Sequence, residues 1–300
     1  MLSLESQVLL LVIALFAIGA ALIYVVGLRN KNQQIISEIW QLYLIEFILV
    51  AAILFPIYFG GIIFYVFAYA FLVRCVRELF QGCGEKDITP IEIGCHLAGL
   101  MAVVISSYSA PHQATPAIVV TLFTILAVYL LPIARRGNLF LALSSFSLIL
   151  VPVIFLVLLY QTTNGFLYIF LAYVIVELND SFAYLSGKIY GKRHPFPVLS
   201  PKKSIEGVIG GIGIALSIGT LIVMYLLSYD FIVSFGMVLC VIVAGFFGDF
   251  ITSAIKRSAN IKDFPKVHTF HGGVLDIYDA FLFSLSAFYL YYILVIENLN

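Results

Sequence analysis

Apolar runs of about 20 residues recur along the whole of this chain, and a run of that length crosses the hydrocarbon core of a bilayer as a helix. In lipid every backbone N–H and C=O must pair inside the protein, which leaves only helices or closed barrels. The alternating apolar-polar strands of a barrel are absent. Charged residues make up 11% of the chain, against about 25% for a soluble domain, and the mean hydropathy is +1.09. The expected fold is all-α: a polytopic integral membrane protein with about ten transmembrane helices. The pattern predicts them near 8–28, 40–58, 60–73, 91–107, 114–134, 139–160, 165–184, 206–228, 231–252 and 275–296. Gly60-Gly61, with Pro56 just before, splits the second from the third; the third is short for a span, so a re-entrant pair also fits. Residues 1–7 carry no base and the run behind them is long enough to span, so it reads as a first transmembrane helix rather than a cleaved leader.

Threading ten helices alternately puts the loops 29–39, 74–90, 135–138, 185–205 and 253–274 on one side, and these hold all 16 Lys and Arg residues. The other side has Glu5, Asp230 and Glu297 and no base. Basic loops stay cytoplasmic, so both termini are expected outside. The first three basic loops read as ordinary anchors. Cys75, Cys83, Cys95 and Cys240 lack the spacing of a zinc site or a disulfide framework.

The last two basic loops are flanked by acids within helices, and an ionisable residue inside a span marks a functional site by default. In "ELNDSFAYLSGKIYGKRHPFPVLSPKKSIEGVIGG", Asn179 and Asp180 end an apolar run, and Lys188, Lys192 and Arg193 follow among glycines. Ser200 is expected to cap a helix that starts at Pro201, so that free N–H groups, the helix dipole, Lys202 and Lys203 form an anion site. A helix cap with interfacial lysines is the simpler reading of that stretch alone. In "GFFGDFITSAIKRSANIKD", Asp249 lies about one turn inside a helix end ahead of Lys256 and Arg257. It suits a hard-cation ligand, a proton relay or a partnered polar defect. In "HTFHGGVLDIYD", the His271-Gly272-Gly273 turn can aim amides at an anion. Asp276 and Asp279, three apart, share a face of the last helix, where they also simply oppose its dipole.

Carboxylates, cations and glycine turns without a nucleophile-base pair suit phosphoryl or nucleotidyl transfer, whose catalysis is positioning and charge neutralisation. These residues resemble the signature of phosphatidate cytidylyltransferases, also called CDP-diacylglycerol synthases. Ser253, Lys256, Arg257, Lys262, Asp263, His271, Gly272, Gly273, Asp276 and Asp279 keep every interval of that signature. Asp180-Ser181, Ala183-Tyr184, Gly187-Lys188, Gly191-Lys192, Ser200-Pro201, Lys203, Gly207 and Gly248-Asp249 match the family's upstream motifs. The detailed match covers about 175–285. Phe182, Ile205, Thr269-Phe270 and Ile277 depart from the family pattern; Ile277 replaces an arginine that would grip phosphate bidentately.

The resemblance implies a phospholipid-biosynthetic nucleotidyltransferase that moves CMP from CTP to a lipid phosphate, phosphatidate first, giving CDP-diacylglycerol and pyrophosphate. It implies transmembrane helices over 1–165 and a catalytic transmembrane region over 166–300. Asp249, Asp276, Lys256 and His271 would be catalytic. Lys188, Ser200, Lys202, Lys203, Arg257, Lys262, Gly272 and Gly273 would contact nucleotide and phosphate. Asp249, Asp276, Asp180 and Asp279 would surround Mg²⁺, with room for a second cation such as K⁺. CTP, the lipid phosphate and membrane lipids are the expected partners, with a homodimer allowed and no nucleic acid. Three alternatives stand beside this reading: a cytidylyltransferase or CTP-dependent kinase for an isoprenoid lipid, a transporter with intramembrane acids, and a catalytically silent relative, suggested by Ile277.

Overall fold

The computed structural model describes residues 3–29, 33–84, 100–101, 146–197, 199–265 and 272–299. Every regular element among them is helical: α1 (Leu4–Arg29), α2 (Gln33–Phe59), α3 (Gly61–Gly82), α4 (Val151–Tyr160, entered through a π turn at Phe146–Leu150), α5 (Gly165–Tyr190), α6 (Ile205–Leu227), α7 (Phe231–Ser258) and α8 (Val274–Tyr291, continued by a π turn at Tyr292–Ile296). Among the described residues, α1, α5, α6, α7 and α8 with its π turn are long and apolar enough to cross a membrane. The spans expected at 91–107 and 114–134 lie outside the described residues, apart from 100–101, which are helical; so does the start of the one at 139–160.

Several helices run past their apolar stretch. α3 continues to Gly82 instead of stopping near 73, and α5 and α7 continue to Tyr190 and Ser258. Arg, Lys, Glu, Gln and Leu are good helix formers, so charge ends the hydropathy signal without ending the helix. As a result Lys188, Lys256 and Arg257 sit on rigid helix ends, where loops were expected.

The chain divides into two compact units, 1–67 and 68–300. In the first, α1 packs on α2 through Phe16 and Phe47, whose ring centroids are 5.1 Å apart, and through a 3.0 Å hydroxyl contact between Ser6 and Tyr58. In the second, α5 and α6 pack antiparallel at very close range. A Cβ on Gly207 would stand 2.7 Å from the carbonyl oxygen of Ala183, and one on Gly211 would stand 2.7 Å from that of Asn179. Further along, Gly219 opposes Ile175. Small residues let backbones approach in this way where lipid supplies no hydrophobic drive between helices. Gly211→Ala is expected to pry the pair apart and cost about 1–3 kcal/mol, read as a fall in the thermal aggregation midpoint of detergent-solubilised protein; an unchanged midpoint would refute this packing.

α7 and α8 are also antiparallel, with Thr252 against Asp279, Gly245 against Ser284 and Gly236 against Tyr291. The 228–230 link turns α6 into α7 at the opposite end, using left-handed Ser228 (φ 56°) and Asp230, whose carboxylate accepts the Val233 amide at 2.8 Å. The C-terminal ends of α5 and α7 and the N-terminal ends of α6 and α8 therefore meet at one end of the bundle. That end collects Asp180, Lys188, Lys202, Lys203, Asp249, Lys256 and Asp276.

Candidate active site

The cap of α6 is where the structure departs from the sequence-based expectation. The helix does not start at Ser200-Pro201. Residues 200–203 form a turn, closed by the Lys203 amide on the Ser200 carbonyl at 3.2 Å. The cap is Ser204, in extended backbone, whose hydroxyl accepts the Gly207 amide at 3.1 Å. The physical reason lies two residues further on. Glu206 accepts the Lys192 and Arg193 amides at 3.0 and 3.2 Å and the Arg193 guanidinium at 2.8 Å. Together with the Ile205 amide on the Arg193 carbonyl at 2.9 Å, this ties the chain after α5 to the first turn of α6 and leaves Lys202 and Lys203 on the turn between.

That turn borders a cavity of about 490 Å³ between α5, α6 and α7. Its polar wall brings together Asp180, Lys188, Lys202, Lys203 and Asp249. Tyr184, Val208, Ile212 and Phe246 supply an apolar side. Lys203 forms an ion pair with Asp249, and its ammonium lies 5.4 and 5.3 Å from the ring centres of Phe246 and Phe250. The rings add a cation–π attraction that holds the ammonium against the helix. The Asn179 side-chain nitrogen donates to Asp180 at 3.1 Å, while its carbonyl oxygen is buried without a partner at this cavity.

Asp276 stands in a second cluster at the same end. One carboxylate oxygen accepts Lys256 at 2.7 Å; the other accepts the Phe264 amide at 2.7 Å and the Gly273 amide at 3.0 Å. Lys256 and Asp276 are nearly buried, with side chains 10% and 11% exposed. Asp279 accepts the Thr252 hydroxyl and the Ala280 amide. Arg257 donates to the carbonyls of Ile261 (2.9 Å) and Leu199 (3.5 Å), joining the chain after α7 to the turn before α6. Lys262 is exposed on the turn after α7. Gly272 and Gly273 make room for neighbouring carboxylates: a Cβ on the first would strike Asp276, and one on the second Glu78. His271 lies outside the described residues.

Thus Asp180, Lys188, Lys202, Lys203 and Asp249 share one cavity, whereas Asp276, Asp279, Arg257 and Gly273 spend their described contacts on neighbouring elements. Glu78, Ser204, Glu206 and Thr252 escaped the sequence reading, and Asn179, noted there only as ending an apolar run, is placed at the cavity by the structure. Glu78 alone had a visible signal: in "LVRCVRELF" an acid interrupts an apolar face four residues after an arginine.

The oxygen donors at the cavity, Asp249, Asp180 and the unpartnered Asn179 carbonyl, are the hard type that Mg²⁺ and K⁺ take. The donor chemistry therefore fits a cation there. No cluster of three His, Cys, Asp or Glu side chains with metal-site spacing occurs among the described residues.

A profile described as "Cytidylyltransferase family" matches residues 40–295. The chain is 30% identical over 231 residues to a protein of Staphylococcus aureus (strain COL) named phosphatidate cytidylyltransferase, covering 75% of this chain and 88% of that one. It is 40% identical over 144 residues to one of that name from Aquifex aeolicus (48% of this chain, 54% of the relative). It is also 40% identical over 133 residues to one from Bacillus subtilis (44% and 49%). The matches thus span about half the length of the last two relatives and most of the first.

Proposed function

The chain belongs to the cytidylyltransferase family, and from that premise we propose that it transfers CMP from CTP to the phosphate of a membrane lipid, phosphatidate, leaving CDP-diacylglycerol and pyrophosphate. The observation that carries the reading is the cavity, where Lys188, Lys202 and Lys203 face Asp180 and Asp249 at the charged end of an apolar bundle. A triphosphate and a lipid phosphate are both polyanions. Three lysines lower the cost of bringing them together, and the Ser204-capped end of α6 adds its dipole.

An oxygen of the lipid phosphate attacks the α-phosphorus of CTP. That P–O bond forms as the bond to the β-phosphate bridge breaks, and pyrophosphate carries away the electron pair. The nucleophile is already an anion, so no general base has to ionise it. The apolar side of the cavity receives the glycerol and acyl end of the lipid while its phosphate meets the lysines. Lys203 shields Asp249, Arg257 holds the two active-end loops together, and Lys256 holds Asp276 in place at the start of α8. Lys262, Ser200 and the Gly272-Gly273 turn complete the basic rim, and His271 orients that turn or touches phosphate. Mg²⁺, with room for a second cation such as K⁺, would be held by Asp249 with Asp180, Asp276 and Asp279 as the further acids. When bound, it neutralises charge on the triphosphate. The active end is cytoplasmic, by the positive-inside rule, with about ten spans, both termini outside and a catalytic region over 166–300; a homodimer is compatible with all of this.

Purified protein in detergent, given phosphatidate, Mg²⁺ and CTP labelled at either the α or the γ phosphate, should put α label into lipid and γ label into pyrophosphate. Lipid carrying γ label would make the protein a kinase. Failure of every lipid phosphate to accept label would refute the enzymatic reading. Transfer only to an isoprenoid phosphate would move the substrate and keep the chemistry. EDTA should abolish transfer, and Mg²⁺ in excess should restore it.

A further inference from the structure

The acid least accounted for by nucleotide chemistry is Glu78 on α3. Its side chain is fully buried, and a buried carboxylate needs partners to offset its lost hydration. One oxygen accepts the Arg74 guanidinium at 2.7 Å, one helical turn earlier. The other accepts the Leu275 amide at 2.8 Å, 197 residues away in sequence. Leu275 is the second residue of α8, and the first N–H groups of a helix have no partner within it. Gly273 leaves the space through which Glu78 reaches that amide.

The surroundings are built around this contact. At the end of α3, a Cβ on Gly82 would come within 2.7 Å of Phe264 and 2.9 Å of Ile261. Phe264 is 1% exposed, gives its amide to Asp276 and lies 5.6 Å beneath the Lys256 ammonium. Phe71 of α3 packs edge-on against Tyr278 of α8, with centroids 5.6 Å apart. The N-terminus of α8 is therefore held from outside by Glu78 and from within by Asp276, which takes the Gly273 amide.

We infer that Glu78 is a positioning residue for the transfer: from outside the signature it occupies the amide of Leu275 as a fixed internal anion and thereby sets the place of Asp276 and Asp279. Two consequences follow. The Leu275 amide at the start of α8 is closed to a substrate phosphate, because Glu78 already takes it. The reading frame of the α8 acids depends on a carboxylate that reaches no cavity wall. Glu78 lies outside the lining of the cavity, so its loss should disturb turnover more than nucleotide binding.

The inference rests on the cytidylyltransferase reading for its kinetic arm alone. Glu78→Gln keeps the shape and one oxygen acceptor but loses the charge; Glu78→Ala loses both. Wild type and both variants are purified as monodisperse protein and compared by kcat, by KM for CTP and by amide exchange over residues 272–279 without substrate. Glu78→Ala should lower kcat by roughly 10–100-fold, the range for partners that orient a ligating group. KM for CTP should change less than about twofold, and exchange at Leu275 should accelerate at least about tenfold, the loss of one hydrogen bond's worth of protection. Glu78→Gln should fall between. Equal kcat and equal exchange in well-folded Glu78→Ala would overturn the inference, as would a fall in thermal stability with turnover per folded molecule intact. If wild type forms no CDP-lipid, the functional reading fails, while exchange at Leu275 still decides whether Glu78 holds the helix.

Discussion

Asp249→Asn is expected to lower CMP transfer by about three orders of magnitude or more, the scale of losing a principal group that stabilises a transferring phosphoryl charge. Asp249 is the acid that the cavity shares with Asp180 and three lysines, and it is the partner of Lys203. The amide retains the volume and the Ser253 contact (3.4 Å) but not the charge. The protein should still fold, because Asp249 is half-exposed and α7 is held by its apolar face. Initial rates of α-label transfer over a Mg²⁺ titration provide the measurement. The variant should stay flat at Mg²⁺ levels that saturate wild type. Recovery of full rate at high Mg²⁺ would reduce Asp249 to a minor affinity determinant. Wild-type rate throughout would remove it from the site.

Lys256→Ala should be the most damaging single change to the fold at this end. It leaves the Asp276 carboxylate nearly buried with two amides and no cation. Breaking a buried pair by removing one partner costs about 3–5 kcal/mol, because an uncompensated charge remains. A double-mutant cycle separates this from lost catalysis. Lys256→Met with Asp276→Asn removes both charges and should recover much of the thermal stability, giving a coupling energy well above the scatter of independent sites. It should not recover activity. If Lys256→Ala alone melts like wild type, the pair is solvated in solution and Asp276 is free to serve another partner.

The apolar repeat was enough to establish an all-helical membrane protein, since lipid leaves the backbone few other ways to satisfy itself. The intervals from Ser253 to Asp279 were enough to establish the family. Both are local properties, carried by residue type and spacing. The one-sided run of bases also anticipated that the ends of α5, α6, α7 and α8 bearing Asp180, Lys203, Lys256 and Asp276 would meet.

Partnership was hidden. Ser200 and Ser204 are both good caps by type, and the choice between them depended on Glu206 reaching back to Lys192 and Arg193. Asp249 and Asp276 looked alike as acids near helix ends, yet one lines a cavity while the other meets Lys256, Phe264 and Gly273. Glu78 lay in a loop expected to be a plain anchor; helix continuation to Gly82 and a contact 197 residues away tied it to the start of α8. Sequence alone determined the solvent this protein lives in, its helical class and the inventory of its chemistry, because hydropathy and spacing are additive along the chain. Only the tertiary structure decided which carboxylates face the cavity and which are spent on the frame, because a buried charge takes whichever donor the packing brings within about 3 Å, and that choice leaves no periodic trace.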